Sequence, residues 1–142
     1  LEHGNIDGIS PKLAVLMIGT NNHMSSPPEV TARDIRLIVN QLRTKLPQTK
    51  VLVLAIFPRG AGDDDGARRI NMTVNELIAD IGDGKMVHYL NINEAFLNDR
   101  RLRHNLIPDG THPNEKGYAA WAEAMEPTLA KLLGEEPIIP AD

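Results

Sequence analysis

The fold of this chain follows from the segment Val51-Leu52-Val53-Leu54-Ala55-Ile56, a continuous apolar run that stops before Pro58-Arg59-Gly60. A second run of the same kind, Leu13-Ala14-Val15-Leu16-Met17-Ile18, ends at Gly19. Uninterrupted apolar runs of this length suit strands that are buried on both faces, as in a parallel sheet covered by helices. A third, weaker strand is predicted over residues 86–91.

Helical patterns alternate with these runs. Apolar residues at helix-like spacing predict helices over 28–45, 66–81 and 114–133, and Pro47, Gly82 and Gly134 follow them as stop signals. The order strand, helix, strand, helix, strand, short helix, loop, helix predicts an α/β fold with a parallel sheet and right-handed crossovers.

The composition excludes several classes of function. The chain has 142 residues, of which 42% are hydrophobic, so one domain with a real core is expected. A net charge of −4 argues against binding to nucleic acid or to anionic lipid. Without cysteine there is no thiol nucleophile, disulfide or Cys-rich metal site. No apolar run reaches the length of a membrane span.

The edge of the predicted sheet raises the question of further strands. Three strands make a small sheet, and an exposed apolar edge at Leu13–Ile18 would invite aggregation. The chain also begins at Leu1 rather than at a methionine. We therefore expect it to start partway through a longer product, and expect a complementing N-terminal segment or a second copy to cover that edge. The compartment stays open, with a secreted or periplasmic location as one alternative.

Polar residues gather where a ligand site is expected. Ligands of open α/β sheets bind beyond the carboxyl ends of the strands, and residues 19–23, 57–60 and 91–93 follow the three predicted strands. The amide of Asn21, directly after the first strand, could donate a hydrogen bond to a developing oxyanion. The alternative is a tight turn in which Asn21 and Asn22 tolerate unusual backbone angles.

The turn Asp109-Gly110-Thr111-His112 places a carboxylate three residues before an imidazole. This spacing lets an aspartate orient and charge-stabilise a histidine that acts as a general base. One alternative is a solvated turn that leads into a helix cap. Another is half of a metal site completed by His23 or Asp63, although no other ligand stands at a recognisable metal spacing.

Further candidates for binding substrate are the loop residues Asn22 and His23, together with Arg59. His23 lies close to Asn21 and Asn22 in the sequence, and the guanidinium of Arg59 could bind a carboxylate or phosphate. Solvated loop side chains are the simpler interpretation for both His23 and Arg59.

The two motifs together carry a resemblance to a known family. Gly19-Thr20-Asn21-Asn22 after a buried strand, with Asp109-Gly110-Thr111-His112-Pro113 before a terminal helix, resembles the SGNH (GDSL-like) hydrolases. The likeness is greatest to the branch related to platelet-activating-factor acetylhydrolase. It implies a flavodoxin-like three-layer α/β/α fold without metal or cofactor. We expect residues 1–134 to form part of such a domain and residues 135–142 an extended tail.

The resemblance also implies roles for single residues. Asn21 would be an oxyanion-hole donor, His112 the general base, and Asp109 the residue that orients His112. The family cleaves small acyl esters, such as acylated sugars or lipid-like esters, through an acyl-enzyme.

The family's nucleophile is absent from the sequence. Its serine stands in a Gly-Asp-Ser motif upstream of the region that Leu1 begins to match. The serines present, Ser10, Ser25 and Ser26, lack that motif. We therefore predict that the complete protein is a serine esterase and that this chain by itself is inactive. The alternative is a non-catalytic, degenerate binding domain or a proteolytic fragment.

Overall fold

A computed structural model describes residues 4–138 of the chain. Its main elements, in order, are β1 (Leu13–Leu16), α1 (Pro28–Lys45), β2 (Lys50–Leu54), α2 (Gly66–Ile78), β3 (Val87–Leu90), β4 (Leu97–Asn98), β5 (Arg101–Leu102) and α3 (Glu115–Leu133). Two short 3-10 helices, at Asn22–Met24 and Asn93–Phe96, follow β1 and β3. The predicted alternation of strands and helices is confirmed, although the elements end up to three residues earlier than expected.

The central sheet is parallel and has the order β1-β2-β3. Alternate side chains of β2 enter two different cores. Val51 and Val53 pack with α1 and α2, whereas Leu52 and Leu54 pack with Leu132 of α3. Helices therefore cover both faces of the sheet, and the α/β fold with a parallel sheet is confirmed.

The expectation of burial on both faces is correct for β2 and wrong for the β1 segment. The exposed fraction of Val51 and Leu52 is 0%, but that of Val15 is 42% and that of Ile18 is 38%. The reason is position, because β1 lies at the edge of the described sheet and pairs on one side only. An apolar run marks a strand but does not tell whether that strand is central.

The β4–β5 hairpin was not predicted. Its turn residues Asp99 and Arg100 have φ values of 46° and 64°, and a two-residue turn with two positive φ values ordinarily favours Asn-Gly. The sequence offers no glycine there, so the usual hairpin signal is missing.

The last helix has a cap at each end. Oδ1 of Asn114 accepts the backbone N–H of Gly117 at 3.0 Å, and Gly134 ends the helix with a φ of 74°. Residues 135–138 have no regular secondary structure, and residues 139–142 lie outside the described part. The division into a domain and a tail at residue 134 stays a prediction. Within residues 4–138, no helix combines the length and the hydropathy that crossing a bilayer requires.

Candidate active site

Asp109 and His112 lie in the turn before α3 and share a hydrogen bond. Oδ2 of Asp109 is 2.6 Å from Nδ1 of His112. Oδ1 of the same carboxylate accepts the backbone N–H groups of Thr111 at 2.9 Å and of His112 at 2.7 Å. Between them Gly110 adopts a φ of 77°, which glycine reaches without steric cost. The three-residue spacing thus brings the carboxylate and the imidazole together within one turn.

These contacts determine which nitrogen of His112 can act as a base. An ionised carboxylate only accepts, so Nδ1 carries the proton of the bond, and the neutral ring keeps its lone pair on Nε2. The backbone N–H of His112, followed by the His112 side chain and the N–H of Thr111, holds the pKa of Asp109 well below its ordinary value. Asp109 is therefore a permanent negative charge beside a ring whose side chain is 78% exposed.

The two alternative interpretations of this turn are a solvated turn that leads into a helix cap and half of a metal site. The bond from the N–H of Thr111 makes an Asx-type turn, which coexists with the contact between the imidazole and the carboxylate. The residue that caps α3 is Asn114. Among residues 4–138, no group of three histidine or acidic side chains is arranged to hold a metal ion.

Asn21 lies in the loop after β1, and this loop can run close to the core because it contains Gly19. Gly19 has a φ of 111°, and a Cβ there would lie 3.0 Å from Ile56 and 3.1 Å from Thr31. The chain then reaches Asn21, which is exposed and whose side chain makes no capping hydrogen bond. Within the described residues, the Asn21 amide is therefore available to an external acceptor.

Arg59 joins the loop that carries Asn21 to the turn that carries His112. Its Nη1 donates to the backbone oxygen of Thr20 at 2.8 Å, and its Nη2 donates to the hydroxyl of Thr111 at 3.2 Å. The backbone N–H of the next residue, Gly60, donates to the oxygen of Gly110 at 3.0 Å. The loop after β2 therefore holds both neighbouring loops in place.

His23 belongs to the same group of contacts. Its Nδ1 lies 2.8 Å from the oxygen of Thr20 and 3.3 Å from Nη1 of Arg59. Since a carbonyl oxygen only accepts, Nδ1 of His23 carries a proton. This bond gives His23 a structural role in the loop.

A cavity of about 170 Å³ lies beside His112. Its walls are largely apolar, and its polar groups come from three loops; the lining includes Met17, Ile18, Phe57, Tyr118 and Trp121 together with Thr20, Arg59, Thr111 and His112. The predicted residues Arg59 and His112 thus meet at one cavity. Asn21, Asn22 and His23 are not among its lining residues.

The contribution of Trp121 was missed in the sequence analysis. Trp121 packs edge-on against Phe57 at 4.8 Å between ring centroids and also lines the cavity. Its Nε1 is buried without a hydrogen-bond partner among residues 4–138. The sequence held no signal for this role, because a tryptophan on an amphipathic helix is usually a core residue.

The described serines take no part in the Asp109–His112 pair. Ser10 precedes β1, and Ser25 and Ser26 follow the 3-10 helix Asn22–Met24. Among residues 4–138, the side chain of His112 makes its hydrogen bond to Asp109 alone.

Comparison with known proteins identifies similar sequences. The family model of the GDSL-like lipase/acylhydrolase family matches residues 1–120. The human platelet-activating factor acetylhydrolase IB subunit alpha1 is 33% identical over 138 residues, which are 96% of this chain and 59% of the relative. The alpha2 subunit from Rattus norvegicus is 32% identical over 139 residues, which cover 96% and 60%. The chain thus spans about three fifths of the length of these relatives.

Solved structures share the fold. A carbohydrate acetylesterase family member from Sinorhizobium meliloti superposes with a TM-score of 0.70 at 17% identity, over 91% of this chain and 65% of that one. The structure of Est24, a carbohydrate acetylesterase from the same organism, gives a TM-score of 0.66 at 21% identity, over 85% of this chain and 61% of that one.

Proposed function

Since the chain belongs to the GDSL-like lipase/acylhydrolase family, we propose that it carries the general base and one oxyanion donor of a serine ester hydrolase. The observation that carries this proposal is the 2.6 Å bond between Asp109 and Nδ1 of His112, which leaves Nε2 free as a base. The nucleophilic serine would come from polypeptide outside these residues. The match to relatives that are considerably longer supports this view.

The proposed reaction begins when the serine hydroxyl attacks the carbonyl carbon of an ester. Nε2 of His112 takes the hydroxyl proton, and the carboxylate of Asp109 stabilises the imidazolium that forms. When the tetrahedral intermediate collapses, His112 returns the proton to the leaving alcohol, and an acyl-enzyme remains. A water molecule then attacks the acyl carbon with the same proton transfers, which releases the acid and regenerates the serine.

Asn21 acts on the charge that develops at the carbonyl oxygen. Its amide is exposed and uncommitted within residues 4–138, so it can donate to the oxyanion without breaking an existing bond. One donor of this kind is worth about 3–4 kcal/mol of transition-state stabilisation. Arg59 binds the loops of both Asn21 and His112, which supports a positioning role for it in addition to any contact with substrate.

The proposed substrates are small acyl esters, such as acylated sugars or lipid-like esters. The narrow and largely apolar cavity beside His112 suits a short acyl chain better than a charged group. Relatives named as acetylhydrolases and neighbours named as acetylesterases support the same class.

The role of His112 as the general base can be tested with p-nitrophenyl acetate in the longest natural form of the protein, which would contain the proposed serine-bearing segment. Among the described residues that line the cavity, His112 is the only histidine and there is no carboxylate, so we expect His112→Ala to lower kcat by about 10²- to 10⁴-fold. His104→Ala is the matched control, because His104 is an exposed histidine outside the site. Unchanged turnover in His112→Ala would remove His112 from the mechanism.

The oxyanion donor has its own test in the same protein. Asn21→Ala should lower kcat by about 10²- to 10³-fold with a much smaller change in KM, since the bond forms in the transition state. Asn40→Ala, an exposed asparagine on α1, is the control. A change confined to KM would make Asn21 a substrate-binding residue and not an oxyanion donor.

The second candidate function is non-catalytic binding of acyl or sugar ligands. It is favoured by the finding that no described serine contacts His112. A fluorophosphonate probe distinguishes the two candidates, because it reacts covalently with an activated serine. A single adduct on the longest form, detected by intact mass, supports the hydrolase, and the absence of an adduct supports the binding domain. We expect the 142-residue chain alone to give neither an adduct nor a burst of p-nitrophenol.

The exposed edge strand β1 offers a surface to the proposed serine-bearing segment. Val15 and Ile18 are exposed by 42% and 38%, and they lie on or just after this edge. We propose that the segment carrying the serine covers this surface. A monomeric longest form whose Val15 and Ile18 amides resist hydrogen exchange supports this arrangement, whereas a dimer that buries the same amides assigns the surface to a second copy.

A further inference from the structure

A second cavity, of about 340 Å³, lies on the other side of the β2 end from His112. Its walls come from α2, from the segment after β3 and from the β4–β5 hairpin. It shares the residues at positions 56–58 with the cavity beside His112, but neither His112 nor Arg59 lines it. Its volume falls in the range of small-molecule sites, about 300–1,000 Å³. Nothing in the hydrolase proposal makes use of this cavity.

Three residues that line this cavity each hold a buried polar atom without a partner among residues 4–138. These atoms are Nη2 of Arg68, Oδ1 of Asn71 and Oδ1 of Asn93. Arg68 is only 1% exposed and Asn71 only 2%. Folded proteins leave few buried polar groups unpaired, because each unpaired group destabilises the fold. The described residues supply no partner for these three atoms, so a molecule in the cavity would have to pair with them.

The contacts that these residues do make leave the same atoms free. Nη1 of Arg68 donates to the backbone oxygen of Arg100 at 2.8 Å and lies 3.4 Å from Oδ1 of Asp63. Asn93 donates through Nδ2 to the backbone oxygen of Ile56 at 3.0 Å, which sets the orientation of its amide and leaves Oδ1 as the free acceptor. Each of these two side chains is therefore anchored on one side and unpaired on the other.

The unpaired atoms define the chemistry of the occupant. Nη2 of Arg68 requires an acceptor, whereas the two amide oxygens require donors, and a hydroxyl group supplies both. An anion would pair with the guanidinium and leave the amide oxygens unpaired. The charged groups that line the cavity also disfavour an anion, since three are carboxylates and two are guanidinium groups: Asp63, Glu76, Glu94, Arg68 and Arg100.

The wall of the cavity that carries Arg100 is itself strained. Asp99 and Arg100 both have positive φ values, and the turn is held by the bond from Arg68 to the Arg100 oxygen and by a 2.5 Å ion pair between Asp63 and Nε of Arg100. Such strain persists where the surrounding structure imposes it and is concentrated at ligand sites. Arg68 therefore connects the strained turn with the unpaired atoms.

We propose that this cavity binds a neutral polyol, such as a monosaccharide, through Arg68, Asn71 and Asn93. Hydroxyl groups of the ligand accept from Nη2 of Arg68 and donate to the two amide oxygens. The apolar side chains of Phe57, Met72 and Leu97 line the same cavity and can contact the C–H faces of a sugar ring. This binding does not depend on ester hydrolysis.

The test is an NMR titration of the ¹⁵N-labelled protein with D-glucose, D-xylose and myo-inositol, and with sodium acetate as the anionic probe. The signals followed are the Nε–H of Arg68 and the side-chain amides of Asn71 and Asn93. We expect at least one polyol to shift all three in a saturable way, with a Kd of about 10 mM or tighter. The side-chain amide of Asn21 should not move.

Cavity-filling variants locate the binding. Ala79 is exposed and lines the cavity, so Ala79→Trp fills it without removing a polar partner, and we expect at least a tenfold loss of affinity. Met72→Trp fills it from a second position, and Ala119→Trp, on an exposed face of α3, should keep the affinity of the parent. Three results would each overturn the proposal: no saturable shift with any polyol, which assigns the cavity to water; saturation by acetate alone; or unchanged polyol affinity in both filling variants.

Discussion

Gly117 marks the place where α3 packs against the turn that carries Asp109 and His112. A Cβ at this position would lie 2.4 Å from the backbone oxygen of Leu106 and 2.9 Å from Cβ of Pro113. Ordinary contacts begin at 3.4 Å, so Gly117→Ala must move the helix and the turn apart by about 1 Å. The Leu106 oxygen also accepts the N–H of Asn114 at 2.9 Å, and this bond weakens with the same movement.

The energy of this change follows from opposing terms. Overpacking costs about 1–3 kcal/mol, and a weakened backbone hydrogen bond costs about 0.5–1.5 kcal/mol. Replacing glycine by alanine inside a helix returns up to about 1 kcal/mol. We therefore expect Gly117→Ala to lower the free energy of unfolding by about 1–3 kcal/mol, which corresponds to a fall in Tm of roughly 4–10 °C for a chain of this size.

Urea denaturation followed by tryptophan fluorescence measures this change directly, because Trp121 is the single tryptophan and lies on α3. Gly66→Ala is the matched control, since a Cβ at Gly66 would meet nothing within 4 Å, and its effect should stay within about 0.5 kcal/mol. A Gly117→Ala protein as stable as the parent would show that the contact between α3 and Leu106 is wrong as described. In an active longer form, the displacement of about 1 Å should also lower kcat by about 10²-fold.

Three further predictions concern Gly60 in the loop after β2, Asn75 on α2 and Asp83 in the turn before β3. Gly60→Ala forces a φ of 68° on an alanine and brings its Cβ to 2.3 Å from Cγ of Asp65, which caps α2. We expect the free energy of unfolding, measured by urea denaturation, to fall by about 2–4 kcal/mol. A fall of less than about 1 kcal/mol would contradict the strain argument. Asn75→Leu leaves the buried N–H of Ile56 without its 2.7 Å acceptor, so the free energy of unfolding should fall by about 1–3 kcal/mol in the same measurement. An unchanged free energy of unfolding would mean that another group replaces the amide. Asp83→Asn should lower the Tm at neutral pH, because the N–H groups of residues 87, 85 and 86, in that order of effect, lower the pKa of Asp83 from 3.8 to about 2.

The pH dependence of the Asp83 contribution has a definite sign. A depressed pKa means that the folded state favours the charged carboxylate, so the contribution is complete above the unfolded value near 3.8 and disappears as the pH falls through about 2. The difference in Tm between Asp83→Asn and the parent should therefore shrink between about pH 4 and pH 2. A difference that stays constant over this window would assign the effect to something other than the charge.

Local patterns were sufficient for the three parallel strands, for the three long helices and for one half of the candidate site. A strand buried on both faces must be apolar throughout, and this alone identifies β2. The stop signals at Pro47 and Gly134 act on their own helices. The pairing of Asp109 with His112 is also local, since a three-residue spacing on a turn with glycine brings both side chains together.

Contacts between distant loops could not be predicted in this way. Arg59 reaches Thr20 and Thr111, which lie 39 and 52 residues away along the chain, and nothing in its own neighbourhood marks it as a link. Trp121 lines a cavity because α3 packs on the face of the sheet that carries Leu52 and Leu54. The exposure of Val15 depends on whether another strand lies beside β1. A short apolar run does not indicate whether its strand has neighbours on both sides.

The sequence by itself therefore determined which segments form the parallel strands and the long helices, and that a carboxylate and an imidazole form a pair, because backbone hydrogen bonding and side-chain periodicity act over a few residues. The tertiary structure alone decided that Arg59 joins the loops of Asn21 and His112, that β1 is an edge, and that Arg68 is buried with a free nitrogen. These features arise when segments far apart in the chain pack together, and the geometry of that packing is set by the whole core and not by any one segment.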